Sequence, residues 1–302
     1  MPGGGVHVDI PKDLVGAAAR RRLLPFIGSG FSKNISAEFP DWKGVVDIAA
    51  DILKFDRDLL RIHGDYLQIA EYLEVVNGGI GDLANKLVTL IDDERMFDVG
   101  KSRPHLLLPY LDCESIFTTN WDRWIERAFD DQGWPYYRIR NTADLADPTL
   151  NRPPASNVQI FGKVKFDATR YNHPTRVVKL HGDLSDHSSL LIKESDYFRR
   201  MDFEDPLDID LRSRIYGKSV IFIGYSFSDL NVRLMWSKLC RVLANTKKPA
   251  QSFFLTAQRN PVMERLLSEQ HINVVQLDPM RIGENLTYLL ECILDAQEKG
   301  NA

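Results

Sequence analysis

The sequence predicts an α/β fold: a Rossmann-like doubly wound parallel sheet with an inserted, mostly helical subdomain. Short apolar segments alternate with amphipathic helical segments along most of the 302 residues, which is typical of strand–helix–strand units in a parallel sheet. Four of the predicted strands also end in polar or glycine-rich turns. Because ligands of such folds bind at the carboxyl ends of the strands, we expect the functional site at these turns.

The first part of the chain predicts two strands with helices around them. A helix over 11–23 leads into a strand over 24–27, and a second strand over 115–119 is followed by a helix over 121–131. Between the two strands, residues 42–111 place apolar side chains at every third or fourth position, the spacing of one helix face. These side chains are Val45, Ile48, Ala49, Ile52, Leu67, Ala70, Leu73 and Val76.

The second part predicts further strand–helix units. Residues 133–175 contain five prolines and little periodicity, which indicates a loop with short strands. The acidic segment 202–210 indicates a solvated loop and the start of a helix. The remaining predicted elements are strands over 176–180, 219–223, 252–255 and 273–277, and helices over 229–243 and 261–269.

These elements predict a single domain that spans residues 1–302. Its Rossmann-type core covers 20–41 and 112–280, and the helical subdomain covers 42–111. A C-terminal helix over 283–298 is expected to pack on the sheet through one apolar face. That face comprises Leu286, Leu289, Leu290, Ile293 and Leu294.

The composition narrows the class of protein. A net charge of −4 argues against DNA binding through overall charge, although direct contact with nucleic acid through a local basic patch stays open. The three cysteines form no CxxC pair, so the sequence predicts neither a zinc module nor a disulfide framework. No segment has the apolar length of a signal peptide or a membrane span, so we expect a cytoplasmic protein without membrane contact.

The first strand ends in a glycine-rich turn that suits a pyrophosphate. Such a turn before a helix presents backbone N–H groups and the positive end of the helix dipole to an anion. Glycine is expected because a Cβ atom would block the close approach of the phosphate. The usual dinucleotide motif is incomplete, because Lys33 stands where its third glycine belongs. The candidate residues are Gly28, Ser29, Gly30 and Ser32.

The next two candidate turns carry an amide and a histidine. After the second strand, Thr119 is followed by Asn120, which can hold a ribose hydroxyl or a water, and by Asp122, which can cap the next helix. After the strand over 176–180, His181 can act as a general base near neutral pH. A capping turn and a structural histidine are the alternative interpretations of the same residues.

The fourth candidate turn follows the strand over 219–223 and contains Gly224 and Ser226. Glycine and hydroxyl groups in front of a helix suit a phosphate or a ribose. The segment also nearly matches the GxSxG nucleophile elbow of serine hydrolases, with Ser228 in place of the second glycine and His271 downstream. A serine hydrolase therefore stays an alternative.

The order of the four motifs GSGFS, TTNWD, KLHGD and GYSFSD resembles the sirtuin family, particularly its bacterial members that hydrolyse NAD in antiphage defence. The resemblance covers roughly residues 20–245. It implies NAD as the substrate and nicotinamide and ADP-ribose as products, with a cyclic product as an alternative. It also implies catalytic roles for Asn120 and His181. The NAD-binding residues that it implies are Gly28, Ser29, Gly30, Ser32, Thr119, Asp122, Gly224 and Ser226.

The chain also departs from the best-known members of that family. Protein-deacylating sirtuins carry a four-cysteine zinc module after the catalytic histidine, whereas this chain has no cysteine between His181 and Cys240. We therefore expect NAD hydrolysis without a metal rather than removal of acyl groups from lysine. A deacylase and a non-catalytic sensor of NAD or ADP-ribose stay alternatives, although a sensor has no need for both Asn120 and His181.

The resemblance further implies that the activity is gated, because an unrestrained NAD hydrolase would deplete a cofactor of its host. The residues after Leu243 continue the pattern of strands and helices and do not indicate a separate sensor domain. We therefore expect a homo-oligomer whose sensor is another protein. In the resembling defence families, a HerA-type DNA-translocating ATPase or an Argonaute-like protein fills that role.

Overall fold

A computed structural model of the chain describes residues 8–58, 66–147, 174–226, 233–234, 236–238, 240 and 250–300. Within these ranges, seven strands form one sheet. In chain order they are β1 (Leu23–Ile27), β2 (Ser115–Thr118), β3 (Tyr136–Ile139), β4 (Thr175–Lys179), β5 (Ser219–Ile223), β6 (Ser252–Thr256) and β7 (Ile272–Gln276). All neighbouring strands are parallel and their order is β3-β4-β2-β1-β5-β6-β7, which confirms the predicted doubly wound parallel sheet.

Helices connect the strands and cover the sheet. The α-helices whose bounds lie within the described residues are α1 (Lys12–Ala19), α2 (Ser29–Ser32), α3 (Trp42–Leu53), α4 (Tyr66–Asn77), α5 (Gly81–Ile91), α6 (Arg103–Leu107), α7 (Trp124–Gln132), α8 (Thr142–Ala146), α9 (Glu194–Arg200), α10 (Pro206–Ile215), α11 (Pro261–Glu269) and α12 (Ile282–Lys299). Among the helices in the described ranges, none combines the length and the apolar character needed to cross a membrane.

The order in which strands are added to the sheet reverses at β1. This strand pairs in parallel with β2 on one side and with β5 on the other. Ile27, the last residue of β1, lies opposite Thr118 of β2 and Ile223 of β5. The turns that follow these three strands are therefore neighbours at one edge of the sheet, where doubly wound folds bind their ligands.

Strand β1 shows how the sheet is covered on both faces. All five of its residues are buried. Leu23 and Ile27 belong to an apolar cluster with side chains of α1, α7 and α12, whereas Leu24 and Phe26 belong to a second cluster with side chains of α10 and α11. Burial on both faces explains why this strand is apolar throughout rather than alternating.

Helices α3, α4 and α5 share a separate apolar core between β1 and β2 in the chain. Trp121 and Leu184, from the loops after β2 and β4, are part of that core and connect it to the carboxyl edge of the sheet. Val76, predicted on the buried face, is 53% exposed. A step of three residues is shorter than one helical turn of about 3.6 residues. Repeated steps of three therefore move around the helix, and Val76 lies on the opposite side of α4 from Leu67.

Two sequence-based expectations about local structure need correction. The predicted helix over 11–23 ends at Ala19, because Arg21 adopts a left-handed backbone conformation with φ of 54°. The acidic segment 202–210 is not solvated throughout, because Asp208 is only 2% exposed and accepts a hydrogen bond from the Arg200 guanidinium at 3.0 Å.

The proline-rich part of the chain contains regular structure where it is described. Strand β3 and helix α8 lie within the segment 133–175, as short elements between loops. The rest of that segment, 148–173, lies outside the described residues. The same holds for most of the predicted helix over 229–243, whose described positions are helical and include the buried Trp236.

Candidate active site

The turns after β1 and β5 are interlocked through their backbones. The Gly28 N–H donates to the Ile223 carbonyl at 2.8 Å, and the Gly30 N–H donates to the Gly224 carbonyl at 2.9 Å. Gly224 has φ of 74°, and a Cβ atom on it would lie 2.2 Å from the backbone nitrogen of Phe31. Glycine is therefore required at position 224 by both conformation and space.

This interlocking changes the reason for the glycines in the first turn. The sequence predicted free N–H groups there for a pyrophosphate. Those of Gly28 and Gly30, however, already donate to backbone carbonyls at the end of β5. A Cβ atom on either residue would lie within 2.8 Å of the Gly224 carbonyl oxygen. These two glycines therefore allow two turns of the protein to approach one another, and Ser29, which is exposed, lies at the start of α2.

Tyr225, which the sequence analysis did not single out, joins the ends of three strands. Its hydroxyl donates to the Ile27 carbonyl at 2.9 Å and lies 2.9 Å from the Thr119 hydroxyl. Its ring packs against Phe26 with the ring centres 5.4 Å apart. The only sequence signal for this role is an aromatic residue directly after the glycine that ends β5.

Asn120 lies in the loop after β2 and is 3% exposed. Its Nδ2 donates to the Gly28 carbonyl at 3.2 Å and to the Ser32 hydroxyl oxygen at 3.0 Å. A carbonyl oxygen can only accept, so the contact with Gly28 fixes the orientation of the side-chain amide. The opposite atom, Asn120 Oδ1, is buried and has no hydrogen-bond partner among the described residues. Its capacity to accept a hydrogen bond is therefore unused within the described part of the chain.

Asp122 supports this arrangement through its hydrogen bond with Ser32. Its Oδ2 accepts the Ser32 hydroxyl at 2.8 Å and its Oδ1 accepts the Trp124 N–H at 3.2 Å. The second bond is made to the first residue of α7, which begins three residues later than predicted and has Arg123 as its N-cap residue. Burial raises the pKa of Asp122 to about 6, against the opposing effects of the positive charge of Lys179 and the hydrogen bond from Ser32.

His181 follows β4 and lines a small cavity together with Thr119, Tyr197 and Arg200. The Tyr197 hydroxyl lies 3.4 Å from His181 Nδ1. Burial, together with the positive charge of Arg200, lowers the pKa of His181 to about 3. The imidazole is therefore uncharged at neutral pH, which is the state required of a proton acceptor.

The structure argues against the serine hydrolase alternative. Ser226 is exposed just after the carboxyl end of β5. His271 directly precedes β7, and its carbonyl accepts the N–H of Ser252 at the start of β6. Because all strands are parallel, Ser226 lies near their carboxyl ends and His271 near their amino ends. The two side chains therefore cannot form a catalytic pair. Ser228 lies outside the described residues.

A buried ion cluster lies behind the turns that carry Asn120 and His181. The Lys179 ammonium is 3.1 Å from both the Glu126 and Asp183 carboxylates, and it also donates to the Asp122 carbonyl. The sequence analysis did not assign these residues. The available signal was a lysine directly after the apolar residues Val177 and Val178 of a predicted strand, because a buried lysine requires oppositely charged partners.

Across the described ranges, histidine, cysteine, aspartate and glutamate side chains form no cluster of three or more that is suited to a metal ion. Cys113 is buried, and burial raises the pKa of its thiol to about 12.

Comparisons with known proteins identify a shared family. A family model described as SIR2-like domain matches residues 114–275, which contain the turns after β2, β4 and β5. An NAD(+) hydrolase ThsA of Cytobacillus dafuensis is 27% identical over 250 residues, which are 82% of this chain and 44% of that protein. An NAD(+) hydrolase ThsA of Enterococcus faecium is 26% identical over 281 residues, which are 84% of this chain and 52% of that protein.

A further relative carries a different name. Defense-associated sirtuin 2 of Bacillus subtilis is 22% identical over 266 residues, which are 86% of this chain and 23% of that protein. The chain thus spans about half or less of the length of these curated relatives.

Proposed function

Since this chain belongs to the SIR2-like domain family, we propose that it is an NAD+ glycohydrolase that splits NAD into nicotinamide and ADP-ribose. Three of its four candidate turns lie in the matched region, and several relatives are named NAD(+) hydrolases.

The unpartnered Asn120 Oδ1 is the observation that supports this proposal most directly. A buried carbonyl oxygen without a hydrogen bond is costly, by about 1–3 kcal/mol, unless a ligand or an ordered water donates to it. A ribose hydroxyl or the attacking water would supply that donor. The acceptor lies in the loop after β2, at the edge of the sheet where such folds bind dinucleotides.

The proposed reaction is of the same type as glycoside hydrolysis. The bond between the ribose carbon and the nicotinamide nitrogen breaks, its electron pair leaves with nicotinamide, and a water oxygen bonds to the ribose carbon. One proton is released, and the uncharged His181 is placed to accept it from the water or from a ribose hydroxyl. Asn120 would hold the same water or hydroxyl in position.

We also propose a role in antiphage defence by depletion of NAD. The supporting observation is the similarity to a relative named as defence-associated, in addition to the relatives named as NAD(+) hydrolases. Depletion of NAD would stop the metabolism on which phage replication depends. Such an activity must be silent before infection, so we infer regulation by an oligomeric state or by a partner protein.

Removal of the two catalytic side chains tests the proposed activity. We expect Asn120→Ala and His181→Ala each to lower NAD turnover by about 100-fold or more, the scale of a positioned acid–base group. Chromatography of purified protein incubated with NAD measures nicotinamide, ADP-ribose and any cyclic product. A deacylase would require an acyl-lysine peptide for nicotinamide release, so a parallel incubation with such a peptide separates the two activities.

Matched controls are available at the opposite edge of the sheet. His271 and Asn273 are both exposed, at the start of β7. We expect His271→Ala and Asn273→Ala to retain the activity of the unmodified protein. Near-normal turnover in Asn120→Ala and His181→Ala, with both proteins folded, would refute the assignment.

A further inference from the structure

Lys179 is an unusual residue for its position. It is the last residue of β4, a strand that is buried along its whole length, and its side chain is 0% exposed. Glu126 and Asp183, which flank its ammonium, are 2% and 0% exposed. A buried lysine is costly unless it is fully paired, so this arrangement must be maintained by the contacts that it makes.

Those contacts connect the two loops that carry the catalytic candidates. The ammonium donates to the carbonyl of Asp122, which lies two residues after Asn120. It also pairs with Asp183, which lies two residues after His181, at 3.1 Å. Lys179 therefore connects the loop after β2 to the loop after β4 through a single charged group.

We propose that Lys179 is a positioning residue that holds Asn120 and His181 in their mutual arrangement. This inference rests on the proposed function, because it assigns Lys179 a task in the same site. Lys179 acts through Asp122 and Asp183 and itself contacts neither water nor ribose in the proposed reaction.

The charge of Lys179 is essential to this task. Burial alone lowers the pKa of Lys179, but attraction to Glu126 and Asp183 outweighs it and raises the pKa above its ordinary value. The ammonium therefore stays charged and favours the ionised form of Asp122. Ionised Asp122 accepts the Ser32 hydroxyl, which leaves the Ser32 oxygen free to accept from Asn120.

The other charged groups around Asp122 act in the opposite direction. Asp92, at the end of α5, raises the pKa of Asp122, and the carboxylates of Glu126 and Asp183 lie beyond the Lys179 ammonium. Lys179 is thus the positive charge that offsets this acidic surrounding. Without it, the pKa of Asp122 should rise above about 6.

The double variant Lys179→Met/Glu126→Gln tests the proposal without leaving a new unpaired charge on Glu126. Asp183 keeps a distant guanidinium, Arg138, at 3.9 Å and the N–H of Ser185 at 2.7 Å. We expect kcat for NAD to fall by about 10- to 100-fold with a small change in KM, because the reacting groups are misplaced. The acid limb of the pH–rate profile should move upward by about one pH unit.

A matched control and a second readout keep the outcomes distinct. Lys218→Met removes a lysine that pairs with Glu114 at 3.1 Å at the opposite edge of the sheet, and we expect both kcat and the acid limb to be unchanged. The carboxyl 13C shift of Asp122 reports its pKa without any substrate. Its titration should also move upward in Lys179→Met/Glu126→Gln and stay in place in Lys218→Met.

The outcomes separate this inference from the proposed function. An unmodified protein that does not cleave NAD either alone or with the candidate partner, together with an upward shift of the Asp122 titration in the double variant, would refute the proposed function and leave the electrostatic coupling standing. A folded double variant with unmodified kcat and an unmoved Asp122 titration would overturn the inference about Lys179.

Discussion

Individual glycines at the strand ends have different structural roles. Gly224 and Gly217 both have positive φ, of 74° and 70°. A Cβ atom on Gly224 would meet the backbone of Phe31, whereas one on Gly217 would meet nothing within 4 Å in the described part of the chain. The two positions therefore separate the cost of conformation from the cost of lost space.

We expect Gly217→Ala to lower the free energy of unfolding by about 1 kcal/mol, the conformational cost of a positive φ for an L residue. Gly224→Ala should lower it by about 3 kcal/mol or more, because the turns after β1 and β5 must also separate. Urea unfolding at neutral pH measures both values. Equal losses in the two variants would contradict the interlocking of the turns.

At the scale of elements, the helical part is attached to the sheet beside the candidate site. Asp92, at the end of α5, accepts the Arg123 N–H at 2.9 Å and the Arg127 guanidinium at 2.7 Å. Its carboxylate is 1% exposed, so water has almost no access to the Asp92 side of these hydrogen bonds. They bring α5 against the start of α7, directly after the loop that contains Asn120 and Asp122.

We expect Asp92→Asn to lower the free energy of unfolding by about 3 kcal/mol, because the largely buried guanidinium of Arg127 loses its buried counter-ion and keeps only the exposed carboxylate of Glu94, at 3.4 Å. The neighbouring Asp93 pairs with Arg95, whose side chain is 85% exposed, so Asp93→Asn should have a much smaller effect. Thermal unfolding of the two variants provides the comparison. A larger loss for Asp93→Asn would show that the attachment lies elsewhere.

At the scale of the whole molecule, regulation is the open proposal. A protein that depletes NAD must be restrained, and we propose that a homo-oligomer and a partner, such as a HerA-type ATPase or an Argonaute-like protein, provide the restraint.

Light scattering of the purified protein, alone and mixed with such an ATPase, tests this proposal. We expect a mass that is a multiple of the 34.5 kDa chain and a larger complex in the mixture. NAD turnover should change when the partner is added. A monomer that hydrolyses NAD at the same rate with and without any partner would show that the restraint does not exist.

The sequence by itself determined the fold class and the family, and it predicted the location of the site. Alternation of apolar strands with helices is a local signal, because each strand of a parallel sheet is buried on both faces and each helix on one. The order of four strand-end motifs indicated the sirtuin family, and the match of residues 114–275 to a SIR2-like domain confirms that resemblance. Strand ends could be located because they coincide with glycine and polar residues.

Only the tertiary structure decided which of the predicted site residues hold the turns of the protein together. Gly28 lies against Gly224 and Tyr225, although about 200 residues separate it from them in the chain. The contact with Gly28 fixes the side-chain amide of Asn120 and so leaves its Oδ1 without a partner among the described residues. Lys179 connects two loops only because β2 and β4 are neighbouring strands. Such contacts depend on strand order and register, which local sequence patterns do not specify.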